Sequence, residues 1–371
     1  MNMLVQTEAA TEQVVHIGLL CTITIMGLVG LLIVWILVLR VSRDKEEARR
    51  KAVVALWRPL LSASLIEDVT DLPPIQPRDM VLVMYLWNHM QESIKGDMAK
   101  GLNDIASRVG MDRTAHRYLV EGRLREQLIA VSTLGHLRNH DDWDTLVALA
   151  GTENAFLSLA AARALVQIDA TKALGVLVPL ISHRSDWSPL KIITMLTAAG
   201  ADVAAKAVGE AAVDAPPVMA ARLIRYLAAT KSPHALPPLR TMLTRPDCAD
   251  EVIAACLHVF GLFSDPRDLT TVRRYLDHPT WFVRLQAAIS IGAMGMEEDE
   301  PRLLALLQDD KWWVRYRAAE ALVALPSMTL SKLLHVQAAT QDEAIRDVLK
   351  PFIYKLQEQA AAQAPPLSVA A

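Results

Sequence analysis

The sequence predicts an all-α protein, an N-terminal transmembrane helix followed by an α-solenoid of stacked helical hairpins. Three observations carry that reading. Apolar residues make up 52% of the chain, with Ala and Leu dominant and only 15 glycines in 371 residues. Such a composition favours helices and disfavours Gly-rich phosphate loops or a turn-dense sandwich. The run from Val14 to Leu39 contains no Asp, Glu, Lys or Arg. From position 79 onward, a broken helical pattern recurs at a regular interval, the length of one helical hairpin.

Each element follows in order. Residues 1–13 carry Glu8 and Glu12 and no Lys or Arg, a short extracytoplasmic tail. The apolar run 14–39 would reach about 39 Å as a helix, against about 30 Å of hydrocarbon. Trp35 stands near one end, where an indole suits the interface. Residues 40–58 carry seven Lys or Arg against three acids. This asymmetry predicts a single-pass anchor with its N-terminus out and the bulk of the chain in the cytoplasm, as in a bacterial inner membrane. A cleaved signal would need the positive charge before a shorter run. Gly18, Gly27 and Gly30 form no GxxxG, so no dimer driven by the span is expected. Residues 40–66 read as a basic, amphipathic juxtamembrane helix, packed on the soluble part or held at the interface by anionic lipid. Pro73, Pro74 and Pro77 make 67–78 a linker. A helical cap over 79–122, a repeat array over 123–358 and a disordered tail over 359–371 complete the chain.

The repeat is read from one apolar position. Val252, Val283, Val314 and Ile345 are evenly spaced, and Arg284, Arg315 and Arg346 follow the last three. Leu124, Leu157 and Leu190 extend the series backwards at a slightly longer, constant interval, with Val218 a looser member. Paired alanines come four and five positions after the anchor: Ala161–Ala162, Ala287–Ala288 and Ala318–Ala319. An interval of this length holds two helices and two turns, and such hairpins bury their faces by stacking. The stretch 186–215, with Gly200 and Gly209, departs most from the pattern.

HPTWFVRLQAAISIGAMG (278–295) and DDKWWVRYRAAEALVALP (309–326) resemble the second-helix signature of HEAT repeats. The whole arrangement is similar to single-span, membrane-anchored bacterial HEAT-repeat proteins. The resemblance implies a right-handed solenoid and a role in binding proteins. In such arrays the arginine after the anchor pairs with turn acids of the neighbouring repeat, here Asp277, Asp309 or Asp310.

No P-loop, nucleophile elbow, zincin or dinucleotide motif occurs. Some HEAT-type enzymes hold di-iron through His-Glu dipeptides, and none of the ten histidines is followed by Glu. Cys21, Cys248 and Cys256 are too scattered for a disulfide framework or a closed zinc site. His136 and His140 would share a helix face, but Arg138 to Asp142 reads as a polar turn. No catalytic, cofactor or metal residues are assigned. With a net charge of −3, the chain has no overall basic field for nucleic acid. Leu102 to Leu119 has the cadence of a helix-turn-helix, with Gly110 ending one helix and Asp112 capping the next.

The leading expectation is a membrane-tethered scaffold or adaptor without enzymatic activity, for instance an accessory of an envelope or polysaccharide machine. A DNA-binding regulator using 102–119 and an enzyme with an unrecognised groove site are the alternatives. The expected partner edge is Trp281, Arg284, Trp312, Trp313, Arg315 and Tyr316, residue types that dominate interfaces. One indole of the adjacent pair Trp312–Trp313 is expected to pack between repeats and the other to face solvent.

Overall fold

The computed structural model describes residues 2–94 and 99–363, with side chains placed for Met26, 28–94 and 99–360. Among the described residues the regular elements are helices, and none is a strand. They divide into two compact units, Met1–Thr133 and Leu134–Ala371.

The first unit begins with α1 (Asn2–Ala63), one continuous helix of 62 residues. Among the described residues no helix is long and apolar enough to cross a membrane. Positions 14–25 and 27 of the predicted span lie outside the residues whose side chains are described. Near its C-terminal end α1 buries Trp57 and Leu61, and it contacts α2 (Met80–Ser93). Arg49 of α1 also pairs with Asp79, immediately before α2. The chain between these helices is non-helical through its prolines. Arg108 ties it down, donating to the carbonyls of Val69 and Thr70 at 2.5 Å each.

Helices α3 (Lys100–Arg108) and α4 (Met111–Glu121) follow. Gly110 lies between them at φ +71°, a left-handed conformation that suits glycine. Asp112, expected as the cap of α4, instead sits inside its first turn and makes no side-chain cap bond. Trp87 anchors this hairpin by donating from Nε1 to the Leu102 carbonyl at 2.8 Å. The next helix, α5 (Leu124–Leu137), crosses the division between the units. Asn88 bonds its Ile129 carbonyl and Thr133 hydroxyl, both within the first unit.

The second unit is a run of helix pairs: α6 (Trp143–Ala150) with α7 (Ala155–Ile168), then α8 (Ala170–His183) with α9 (Pro189–Ala198). Next come α10 (Ala201–Asp214) with α11 (Pro217–Thr230) and α12 (Leu236–Leu243) with α13 (Asp250–Phe263). The array ends with α14 (Leu269–Arg274) and α15 (Trp281–Met294), α16 (Glu300–Leu306) and α17 (Trp312–Ala324), and α18 (Leu330–Ala339) and α19 (Glu343–Gln363). Consecutive second helices pack side by side from α7 through α19, the arrangement of a solenoid. Turn residues set the starts: Asn154 accepts from the Phe156 and Leu157 amides, and Asp169 from Lys172. Residues 359–363, expected in the tail, continue α19, because the alanine-rich stretch there has high helix propensity. Positions 364–371 lie outside the described residues.

The anchor residues Leu157, Val252, Val283, Val314 and Ile345 are buried, and the three alanine pairs have no exposed surface. Leu124, Leu190 and Val218 are exposed, so the register assigned there is wrong. The structure supplies a sharper marker. Gly135, Gly261 and Gly292 face Ala164, Ser290 and Ala321 on the next second helix, at the same sequence separation each time. In each case a side-chain atom or Cα lies too close to admit an easy Cβ. Aligned on this crossing, α5 is anchored at 126, and its paired positions are the buried Ala130 and Val131. In α9 and α11 the register moves by one position, and the pairs become Met195–Leu196 and Leu223–Ile224. Hydrophobicity misled the assignment here because larger residues replace the alanines, so several alignments score alike.

Candidate interaction surface

The row of residues singled out from sequence lies at the first turns of α15 and α17. Neither helix begins with a side-chain cap bond. Trp281, Trp312 and Trp313 are 40%, 47% and 56% exposed. This corrects the expectation that one of the adjacent tryptophans packs between repeats. Both stay out, because the inward-facing position of this turn is taken by Val314, which has no exposed surface. Instead the rings support one another. Trp312 meets Trp313 edge-on at 4.6 Å and stacks on Tyr316 at 5.3 Å, and Tyr316 reaches Phe352 of α19 at 5.2 Å. Trp281 meets Phe282 edge-on at 5.9 Å.

The arginines divide into two roles. Arg284 grips the Asp309 carboxylate with Nε at 2.6 Å and Nη2 at 2.9 Å, and Nη2 also reaches Asp310 at 3.0 Å. Asp309, then burial acting in the opposite sense, leaves the Arg284 guanidinium above its ordinary value. This is the ladder that the resemblance implied, through Asp309 and Asp310 and not Asp277. Its counterpart in the following repeat differs. Arg315 donates from Nη1 to the Asp309 carbonyl at 2.8 Å, while its Nε is buried without a hydrogen-bond partner among the described residues. The positions that would supply its acids, one repeat beyond Asp309 and Asp310, are Thr340 and Gln341.

A second ladder, on the first helices, went unseen in the sequence. Arg240 grips Asp268 at 2.6 and 2.9 Å, and Arg273 grips Asp299 at 2.6 and 2.8 Å. Burial alone would raise the Asp299 carboxyl, but Arg273, the Met296 amide and nearby charges together hold it below the usual range. Arginines and acids here both recur at close to the repeat interval, so the signal was present. An alignment on the anchor does not expose it, because these arginines lie on the first helices, where no anchor position marks the register.

Other candidates dissolve into structure. Helix α5 ends between His136 and His140, and Asn139 accepts from the Asp141 amide in the turn that follows. Cys256 is buried, and burial pushes its thiol well up; His258 lies on the exposed side of the same helix. Among the described residues no group of three or more His, Cys, Asp or Glu could hold a metal ion. In 102–119, Leu102, Ile105, Ala106, Met111, Ala115 and Leu119 are buried, and Arg108 is spent on the linker carbonyls.

The paired helices and their crossings define a helical solenoid. The family model of HEAT repeats matches residues 205–290, 245–323 and 275–349, the part of the array that carries both ladders and the aromatic row. No curated protein matches the sequence. Among solved structures, the chain is similar to the crystal structure of an engineered protein, at 15% identity with a TM-score of 0.27. That match covers 74% of this chain and 78% of the other.

Proposed function

We propose that this chain is a membrane-tethered, non-catalytic scaffold that presents the C-terminal end of its HEAT-repeat array to a protein partner in the cytoplasm. Hydropathy and charge support the tether: an uncharged run from Val14 to Leu39, acids before it and a basic cluster after it. The observation that carries the partner surface is the end of the arginine ladder. Arg315 stands one repeat beyond Arg284, which has two acids; among the described residues it has none itself, and it shares the first turn of α17 with the half-exposed indoles of Trp312 and Trp313. A partner that brings a carboxylate to Arg315 and an apolar side chain to the indoles would complete the pattern, in the residue types that dominate binding energy. Arg284, already paired and mostly covered, is a structural member of the row and not a contact.

A photo-crosslinking amino acid at position 313, in cells with otherwise native membranes, tests this reading. A discrete crosslinked species is expected from 313, absent from the exposed control position 206 and lost when Arg315→Ala is added. No discrete species from 313, or one that Arg315→Ala leaves intact, would place the binding surface elsewhere.

A further inference from the structure

The first unit contains a cavity that the scaffold reading does not use. It has a volume of about 310 Å³ and is walled by Arg49 and Arg50 of α1, Arg78 before α2, and Arg123 and Arg125 at the start of α5. Three carboxylates also line it, Glu46, Asp79 and Glu126. Two of them are committed: Glu46 accepts from Arg49 at 2.6 Å and Arg50 at 3.2 Å, and Asp79 pairs with Arg49. Glu126 accepts from the Arg123 backbone amide at 2.8 Å. Arg78 donates its Nε only to Gln76, at 2.9 Å, and among the described residues neither Arg123 nor Arg125 has a carboxylate within ion-pair distance. Three arginines without a carboxylate partner, Arg78 from one stretch of chain and Arg123 and Arg125 from another, thus line one hollow beside the Arg49–Asp79 pair.

We propose that this cavity binds a compact organic phosphate. Charge points to the phosphate. Five arginines against three carboxylates leave an excess of two positive charges, and a phosphate monoester carries about −1.5 to −2 at neutral pH. Guanidinium forks match its oxygens two at a time. Size and lining point to the rest of the molecule. The volume stands at the small end of ligand sites, about 300–1,000 Å³. One wall is apolar, formed by Val81, Leu82 and the half-exposed ring of Tyr85, on which a flat or apolar group can rest.

A membrane phospholipid carries the same chemistry, but distance argues against it. Arg49 lies ten positions beyond Leu39, about 15 Å along a helix, whereas the headgroup layer adds only about 5–7 Å to the hydrocarbon. Even a tilt of about 40° leaves roughly 11 Å. The phosphate therefore belongs to a soluble molecule, provided the tether is placed as proposed above.

The test is calorimetric titration of the full chain, in micelles of a neutral detergent, with phenyl phosphate and with inorganic phosphate. Phenyl phosphate is expected to bind at millimolar concentration or better, and more tightly than inorganic phosphate. Arg123→Gln combined with Arg125→Gln should weaken it on the order of tenfold or more while the melting temperature holds. Tyr85→Ala should remove the advantage of phenyl phosphate over the inorganic ion. Absence of binding by either anion, or unchanged binding by the arginine variant, would overturn the proposal. So would retention on vesicles of anionic phospholipid without any response to the soluble anions, which would assign the arginines to the bilayer.

Discussion

Replacing Gly292 by Ala tests the crossing that sets the repeat register. A Cβ at Gly292 would lie 3.0 Å from the Ala321 Cα and 3.1 Å from its Cβ, where carbon atoms prefer about 3.5–4.0 Å. Neither atom belongs to a side chain that can swing away, so α15 and α17 must part by several tenths of an ångström. Overpacking of this kind costs about 1–3 kcal/mol. Helix propensity works the other way, since Ala is better than Gly in a helix by about 1 kcal/mol. Gly175, inside α8 of the same unit, supplies the control, for a Cβ there meets nothing within 4 Å. Gly175→Ala should therefore show the propensity gain alone, and Gly292→Ala the same gain less the cost of the crossing. The difference between the variants, about 1–3 kcal/mol, corresponds to melting temperatures about 2–12 °C apart for a unit of this size. Thermal denaturation followed by far-ultraviolet circular dichroism reads it. If Gly292→Ala is stabilised as much as Gly175→Ala, the helices do not approach at this point and the glycine crossing is not a register marker.

Three further outcomes are expected. Ala287→Leu and Ala318→Leu should each lower stability by about 1–3 kcal/mol in urea titrations, because both alanines are fully enclosed; unchanged midpoints in both would refute the packing. Acid should also weaken the array. Asp265, held down chiefly by Arg267, and Asp299, held down by Arg273 against its burial, both have folded values below the unfolded one. Their contribution is complete above about pH 5 and is lost as pH falls through the unfolded value toward those lower ones. The melting temperature should accordingly drop between about pH 5 and pH 2, and less so in Asp299→Asn, whereas equal drops in the two proteins would remove Asp299 from the account. Alkaline phosphatase fused after residue 371 should stay inactive if the C-terminus is cytoplasmic, and high activity from an intact fusion would reverse the topology.

How much was legible beforehand depended on what each residue type reveals by itself. Val283, Val314 and their alanine pairs could be read directly, since burial demands an apolar side chain and close packing a small one. Leu190 and Val218 could not, because α9 and α11 carry larger residues at the paired positions and more than one register satisfies the hydrophobic period. Gly135 looked like an ordinary glycine in a helix; only the Ala164 backbone beside it shows what it does. The clasp of Arg284 on Asp309 followed from family likeness, but the missing acids opposite Arg315 required counting forward to Thr340 and Gln341. Arg123 and Arg125 are, on sequence alone, two charges at the start of a helix. Their convergence with Arg49 and Arg78 depends on how α1 lies against α2, which no local pattern encodes.

The uniform spacing of α13, α15, α17 and α19 along the chain means that the molecule can grow by duplication. Suppose the segment 281–311 were copied once and inserted after Lys311. Each Arg284 would find an Asp309 in its own copy, and the first Gly292 would meet a second Ser290, a match already made by Gly261. The second Gly292 would meet Ala321 as before. The one new packing pair, α15 against its own copy, would use that glycine–serine crossing, and the span of the array would increase by one helix spacing, about 8–10 Å. A single residue inserted or deleted inside one of these helices has the opposite effect, since it turns the glycine of that helix off its crossing. Length in this part of the chain is therefore a quantity that recombination can change in whole steps, while the surface at Arg315 is carried outward intact.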